Sequence, residues 1–471
     1  MKVCLILEGC YPYVRGGVSA WAHQYMTCSP DIEFVLWTIH ASEADTREML
    51  YTLPDNVVAH HRVYLNKRSS KRPGKENIKL IPQAVKAVEM ILQQQRGGWE
   101  RLMELLPVLK GHSDSVTTSA AFLELARTIS DQTPGLSLSD AFYSLRSMFQ
   151  PIASILSASI PEADIYHSAV AGYGGLLAAQ AAHSTAKPMI LTEHGIYPRE
   201  REEELLSADW AAHGMLPLWT QLFYDMSRCA YLHATKVTSL FDDAAQRQIS
   251  IGCPKEKCTV IPNGIQSEEF NAIAPPPSGK VLHIGAFVRF ATIKDIKTMI
   301  HSFALLHARQ PQTVLHLMGG TDDEAYREAC LALIHRFHLD QAIRVEGHVN
   351  VIQAMRDMDI TLLTSISEGQ PLTLLESMAA GRPCVATRVG NCEGLIEAPV
   401  NGVGPAGICC TPMSPEEIAS ALELLCTSPD LRAELGSNGP HRVSGRYTLP
   451  RMLHDYHQLY EEVVCSGRNR I

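Results

Sequence analysis

The sequence predicts an α/β protein built as two successive halves, each an open parallel sheet wound by helices. Three observations carry that expectation. Short apolar runs of strand length alternate along the chain with stretches of helical periodicity, the pattern of repeated βαβ units. A proline-rich segment, Pro275-Pro276-Pro277-Ser278-Gly279, reads as a linker between two series of such units. The 471 residues are enough for two domains, each with its own core.

Bulk numbers narrow the class. Apolar residues at 46% and charged residues at 19% describe a globular chain rather than a disordered one. The balance of 41 basic to 50 acidic residues supplies no general polyanion surface, so nucleic acid is not expected as a partner. Thirteen cysteines contain no Cys-x-x-Cys pair, and Cys4, Cys384, Cys409 and Cys410 lie in apolar runs. Reduced thiols in a cytosolic protein fit this better than a disulfide framework. The opening Met1–Glu8 run is too short for a signal peptide. No stretch approaches the roughly 20 apolar residues that span a membrane.

Taken in order, Val3–Leu7 reads as the first buried strand. A glycine-containing turn with Gly16-Gly17 leads from it into a helical run, Val18–Met26. Two glycines at a helix N-terminus allow close backbone approach to a ligand, or simply a tight turn. Phe34–Ile39 and Val57–Tyr64 continue the strands. Lys67–Lys79 carries six basic residues against Glu76 and reads as a solvated loop, with a membrane or partner contact as the other reading. Residues from about 66 to 160 form a mainly helical insertion without evident chemistry. Asp164–His167 and Met189–His194 resume the strands, which places His194 at the carboxyl edge of the sheet, where open α/β sheets bind ligands. Arg199 and Arg201 follow in a charged segment and could reach an acceptor. Lys236–Phe241 and Cys258–Ile261 are the last strands of this half, which is expected to run to 274.

The second half, expected over 280–451, opens with Val281–Ala286. Arg289 and Lys294 follow in the next loop, again at the carboxyl edge. Two cations there suit a diphosphate, although a plain surface loop reads equally from the residues alone. Val314–Met318 and Ile343–Val345 are further strands, and Gly347-His348-Val349 offers a backbone contact for a base.

The densest information lies between Asp359 and Thr387. Asp359–Thr364 reads as a buried strand and Cys384–Thr387 as the next one. Between them Pro371 is placed to be the first helical residue, and Gly381 and Pro383 end the helix. Glu368, Gly369 and Gln370 then sit at a helix N-terminus, where free N–H groups and the dipole favour an anion. Glu376 lies off the stripe formed by Leu374, Leu375, Met378 and Ala379, so it is expected outside the packed face.

Glu368-x7-Glu376 within Ser-x-Ser-Glu-Gly-x-Pro-x-x-x-Leu-Glu-Ser-Met-Ala resembles the signature of the retaining GT-B glycosyltransferases of family four. That resemblance implies two Rossmann-like domains facing each other across a cleft, with a last helix at 452–471 packing back on the first domain. It implies a nucleotide-sugar donor and no metal, in keeping with the want of a convincing Asp-x-Asp site. Arg289 and Lys294 would hold the leaving diphosphate, together with the Gly16 and Gly17 amides. Glu376 would bind the ribose hydroxyls, and Glu368 would hold hydroxyls of the donor sugar, which His194 lines. Gly369, Gln370, Pro371 and Leu372 would complete the donor site, with Val349 at the base.

Four motifs together resemble the PelF group within that family: Glu8–Trp21, Glu193–Tyr197, Ile293–Lys297 and Thr364–Leu372. The group's activity, building Pel exopolysaccharide, implies a UDP-sugar donor (glucose or an N-acetylhexosamine), a growing polysaccharide as acceptor and an α-linked product. It also implies docking to membrane-embedded Pel synthase proteins at the inner face of the membrane. Asn391-Cys392-Glu393-Gly394 departs from the family's usual pattern, which loosens any role for Glu393. Two other readings share the fold: a nucleotide-sugar epimerase, and an inactive scaffold. A decayed scaffold would be expected to have lost some of Arg289, Lys294, Glu368 and Glu376, and all four are present.

Overall fold

The structure, a computed structural model, describes residues 1–66, 74–206, 213–276, 279–399 and 402–468. Much of the basic run expected as a loop (67–73), and Pro277-Ser278 of the expected linker, lie outside these. Lys75 and Lys79 belong to a helix, Lys75–Leu92.

The chain divides into two compact units, Met1–Ile261 with Tyr456–Ile471, and Pro262–Asp455. Unit 1 holds a seven-stranded sheet of β1 (Lys2–Glu8), β2 (Glu33–His40), β3 (Val57–Tyr64), β4 (Ile165–Ser168), β5 (Met189–Glu193), β6 (Lys236–Ser239) and β7 (Cys258–Val260), in the order β3-β2-β1-β4-β5-β6-β7. Its pairings are parallel throughout. Val3–Leu7 are fully buried, as a strand covered on both faces requires. Unit 2 repeats the plan with β8 (Leu282–Phe287), β9 (Thr313–Met318), β10 (Ile343–Gly347), β11 (Ile360–Leu363), β12 (Cys384–Thr387) and β13 (Gly407–Cys410), ordered β10-β9-β8-β11-β12-β13. Both are Rossmann-like, and each reverses its strand order once, between β1 and β4 and between β8 and β11. The crevice outside the carboxyl ends of those strands is where such sheets hold ligands.

Helices from Lys75–Leu92 to Leu138–Leu156 fill the connection between β3 and β4. Val85, Val88, Leu102, Leu106, Leu145 and Phe149 join Ile6 and Trp37 in one core, so this segment is packed into unit 1. The last helix, Leu449–Arg468, buries Tyr456, Leu459 and Tyr460 from its later turns. Tyr460 Oη meets His167 Nδ1 at 2.6 Å and Tyr456 Oη meets Thr192 Oγ1 at 3.2 Å. No helix among the described residues is long and apolar enough to cross a membrane.

The division between units precedes Pro262 rather than falling at Pro275–Gly279 or at 274. Composition marked the prolines, but apolar residues upstream of them decide the allegiance: Ile265, Phe270 and Ile273 are buried in the core of unit 2. Ile265 also pairs with Tyr447 and Leu449 through its backbone (3.0 and 2.8 Å), and Arg382 donates to Ala274 O at 2.7 Å.

Arg442, 1% exposed, is the polar centre of unit 2. It donates to the carbonyls of Leu395 (2.6 Å), Ala398 (2.7 Å), Gly404 (3.0 Å) and Gly394 (3.3 Å). Arg442→Met would leave those acceptors without their donor. Chemical denaturation is expected to show a loss of about 2–4 kcal/mol.

Candidate functional site

In unit 2 the loops after β8 and β11 are tied to each other. Ile366 N–H donates to Ile293 O at 2.9 Å, and Thr364 Oγ1 donates to the carbonyls of Lys294 and Asp295, both at 3.1 Å. Asp295 adopts the left-handed conformation (φ +45°) and caps the helix Ile296–Arg309 through Thr298 N–H. These bonds set Lys294 against Glu368, Nζ to Oε1 at 2.5 Å. Ser365 Oγ donates to the same oxygen at 2.6 Å. Among the described residues Oε2 of Glu368 accepts no hydrogen bond, so the carboxylate is oriented by one oxygen and free at the other.

Gly369 and Gln370 lead into the helix Leu372–Ala379. Pro371 was expected as its first residue and is instead its cap, with ψ 121°. Proline's fixed φ serves either position, and the extended ψ is what turns the loop out of the helix. Gln370 is buried and its Oε1 accepts from Asn263 N–H at 2.7 Å, while its Nε2 has no partner. Gly390 supports the loop from below. Its φ is +53°, and a side chain there would run into the carbonyls of Glu368 and Gly369.

Glu376 lies outside the packed stripe of Leu374, Leu375, Met378 and Ala379, as expected, but it is not solvated. It is half-buried on the helix, and burial, with no cation or donor beside it, pushes its carboxyl up to about 7. Leu372 is half-buried on the same first turn. Arg289 follows β8 but does not share a partner with Lys294: its guanidinium is paired with Asp322. Val349 lies in the loop after β10, half-buried, beside Asn350, which caps the short helix Val351–Met355. Glu393 is paired with Arg388 at 3.2 Å.

Unit 1 gathers Gly16, Gly17 and His194 at its own carboxyl edge. Gly16 caps the helix Gly17–Thr27, and Trp21 of that helix meets the His194 ring edge-on at 4.7 Å. Burial lowers His194 to about 4, so it is neutral at pH 7, and its buried Nε2 has no partner. Its neighbour Glu193 is buried, accepting from Tyr231 (2.7 Å) and Gln248 (2.9 Å), yet burial still raises it to about 7. Arg199 and Arg201 are engaged with Glu203 and Glu204 on their own helix.

Ser365, Asp322, Asn263 and Gly390 are site residues the sequence reading passed over. Ser365 had a signal, a Ser-x-x-Glu spacing. The others meet their partners only across the fold.

Residues 1–256 match the family model described as domain of unknown function (DUF3492), and residues 278–428 match glycosyl transferases group 1. The MMP alpha-(1->4)-mannosyltransferase of Mycolicibacterium hassiacum is 23% identical over 283 residues, 59% of this chain and 66% of that protein. The amylovoran biosynthesis glycosyltransferase AmsK of Erwinia amylovora is 28% identical over 169 residues, 34% of this chain and 41% of that protein. The chain thus spans less than two thirds of either relative's length. Anabaena HepE, solved in complex with UDP, has 14% identity and a TM-score of 0.62, covering 98% of this chain and 100% of that one. The fold, two Rossmann-like α/β units, is that of its GT-B neighbours.

The raised Glu376 carboxyl makes a prediction about stability. Because its folded value lies above the unfolded one, ionising it opposes folding, an effect absent below about pH 4 and fully developed above about 7. Glu376→Gln is expected to stabilise the protein by about 1–3 kcal/mol at pH 8 and to leave it unchanged at pH 4, read by denaturant titration at both.

Proposed function

We infer the function of this chain, which belongs to the family described as domain of unknown function (DUF3492), from its site and its similarities together: it is a glycosyltransferase of the GT-B type that uses a nucleotide-sugar donor. The observation that carries the reading is the Lys294–Glu368 pair, set at the strand-order reversal of unit 2 beside the N-terminus of the helix Leu372–Ala379.

In such a transfer the bond between the anomeric carbon and the phosphate breaks, and negative charge grows on the departing diphosphate. What the protein must supply is fixed positive charge there. Lys294 offers a point charge, the helix N-terminus its free amides, and Arg289 a planar fork once it exchanges Asp322 for phosphate. In unit 1, Gly16 and Gly17 offer amides of the same kind at the N-terminus of the helix Gly17–Thr27. The free oxygen of Glu368 suits donor-sugar hydroxyls, and in unit 1 the unpartnered Nε2 of His194 suits a sugar hydroxyl. Glu376 has no protein partner to give up, which suits a carboxylate that accepts ribose hydroxyls. Gly369, Gln370, Pro371 and Leu372 shape the loop, and Val349 stands for the base contact.

The finer reading is a retaining, metal-independent transfer from a UDP-sugar, with the acceptor proton passing to the leaving phosphate. UDP in HepE supports the choice of nucleotide. A growing exopolysaccharide as acceptor is supported by the similarity to an amylovoran biosynthesis enzyme and by the PelF-like motifs. Those motifs also make membrane-embedded Pel synthase proteins the partners that would recruit this chain from the cytoplasm.

Nucleotide release from a panel of UDP- and GDP-sugars tests the proposal. Turnover of one UDP-sugar is expected, unaffected by EDTA, abolished by Glu368→Ala and reduced about 10²–10³-fold by Lys294→Ala. Full turnover in a correctly folded Lys294→Ala protein would overturn the role given to that cation. Loss on EDTA, restored by magnesium, would overturn metal independence.

A further inference from the structure

Unit 2 carries a cavity that the nucleotide-sugar reading does not use. Its volume is about 560 Å³, and it lies over one face of β8, β9 and β10, bordered by Lys280 and by the turn before β11. Across its floor runs a chain of three polar side chains. Glu346 Oε1 lies 2.6 Å from His316 Nδ1, and His316 Nε2 lies 2.9 Å from His283 Nδ1.

The donors follow from chemistry. A carboxylate only accepts, so His316 Nδ1 carries a proton and donates to Glu346. His316 Nε2 and His283 Nδ1 share one hydrogen between them, and His283 Nε2 is left over. Among the described residues nothing pairs with that nitrogen, and it is not among the sealed-in polar atoms of the protein. His316 is buried and satisfied at both nitrogens, as a structural histidine should be; His283 is half-buried and is not. The relay therefore ends in an unpartnered ring nitrogen on the cavity wall.

We propose that this cavity is a binding site for a short saccharide. The ligand class follows from the lining. Arg344 and Lys280 provide donors, Asp357 and Glu346 provide acceptors, His283 adds a free ring nitrogen, and Met358 supplies an apolar surface. Hydroxyls both donate and accept, so a chain of sugars matches this dispersed set. A nucleotide or other polyanion would meet the two carboxylates, and a lipid would meet all five polar groups. The volume is within the range of small-molecule sites, and the floor spans three strands set about 4.8 Å apart. A free amino acid would fill only a minor part of it. The site stands apart from the Lys294–Glu368 loop and does not depend on the activity proposed above.

The test is ligand-detected NMR and calorimetry with maltotriose and chitotriose, in the full chain with and without added UDP. Binding of at least one trisaccharide is expected. It should weaken at least tenfold in His283→Ala and in Glu346→Gln, the second an exposed change that spares the fold, and persist in Glu368→Ala. The proposal is overturned if neither trisaccharide binds, if binding survives Glu346→Gln and His283→Ala, or if it disappears in Glu368→Ala. Displacement of a bound trisaccharide by glycine at comparable affinity would assign the cavity to amino acids instead.

Discussion

The ion pair between Lys294 and Glu368 is the contact around which the second unit's functional edge is arranged. Neither partner can be placed alone. Lys294 is fixed because Thr364 accepts the task of holding the Lys294 and Asp295 carbonyls, and Glu368 is fixed because Ser365 shares its oxygen. Both side chains are largely shielded, at 19% and 10% exposed, so screening by water is weaker than for a surface pair. Removing either partner would leave the other charge poorly compensated. An entering diphosphate would compete with Glu368 for the same cation, which links donor binding to the conformation of the loop.

The two glutamates of one motif live under different physics. Glu368 has a cation and a hydroxyl against it. Glu376, eight positions on, has neither, and burial governs it. Glu193 shows that donors do not always win: Tyr231 and Gln248 both reach it, and its carboxyl still rises to about 7 because water is excluded. What matters in each case is the balance between desolvation and the partners the fold happens to supply.

Much of this was legible from residue order. β12 and most of β1, β2 and β8 were readable because a parallel strand buried on both faces is a continuous apolar run, whereas β3, an edge strand with only Val63 fully buried, was read from its β-branched and aromatic residues. The strand–loop–helix–strand unit around Glu368 was readable because proline and glycine constrain the backbone locally. The unit boundary was misplaced for a related reason: the prolines at 275–277 are a local signal, whereas the attachment of Ile265, Phe270 and Ile273 is made by distant neighbours. The shielding of Glu376 was not legible, because helical phase tells which side chains share a face and nothing about what else covers that face.

By itself, then, the sequence determined the alternation of elements, the two-unit plan and the residue types gathered at the strand ends, since each follows from periodicity and backbone chemistry within a few residues. Only the tertiary structure decided who meets whom. Arg289 went to Asp322 and Lys294 to Glu368. Glu346, His316 and His283 came together from three strands. Asn263 reached Gln370 across more than a hundred residues. Charge pairing and desolvation act over a few ångströms of space, and sequence separation carries almost no information about those distances.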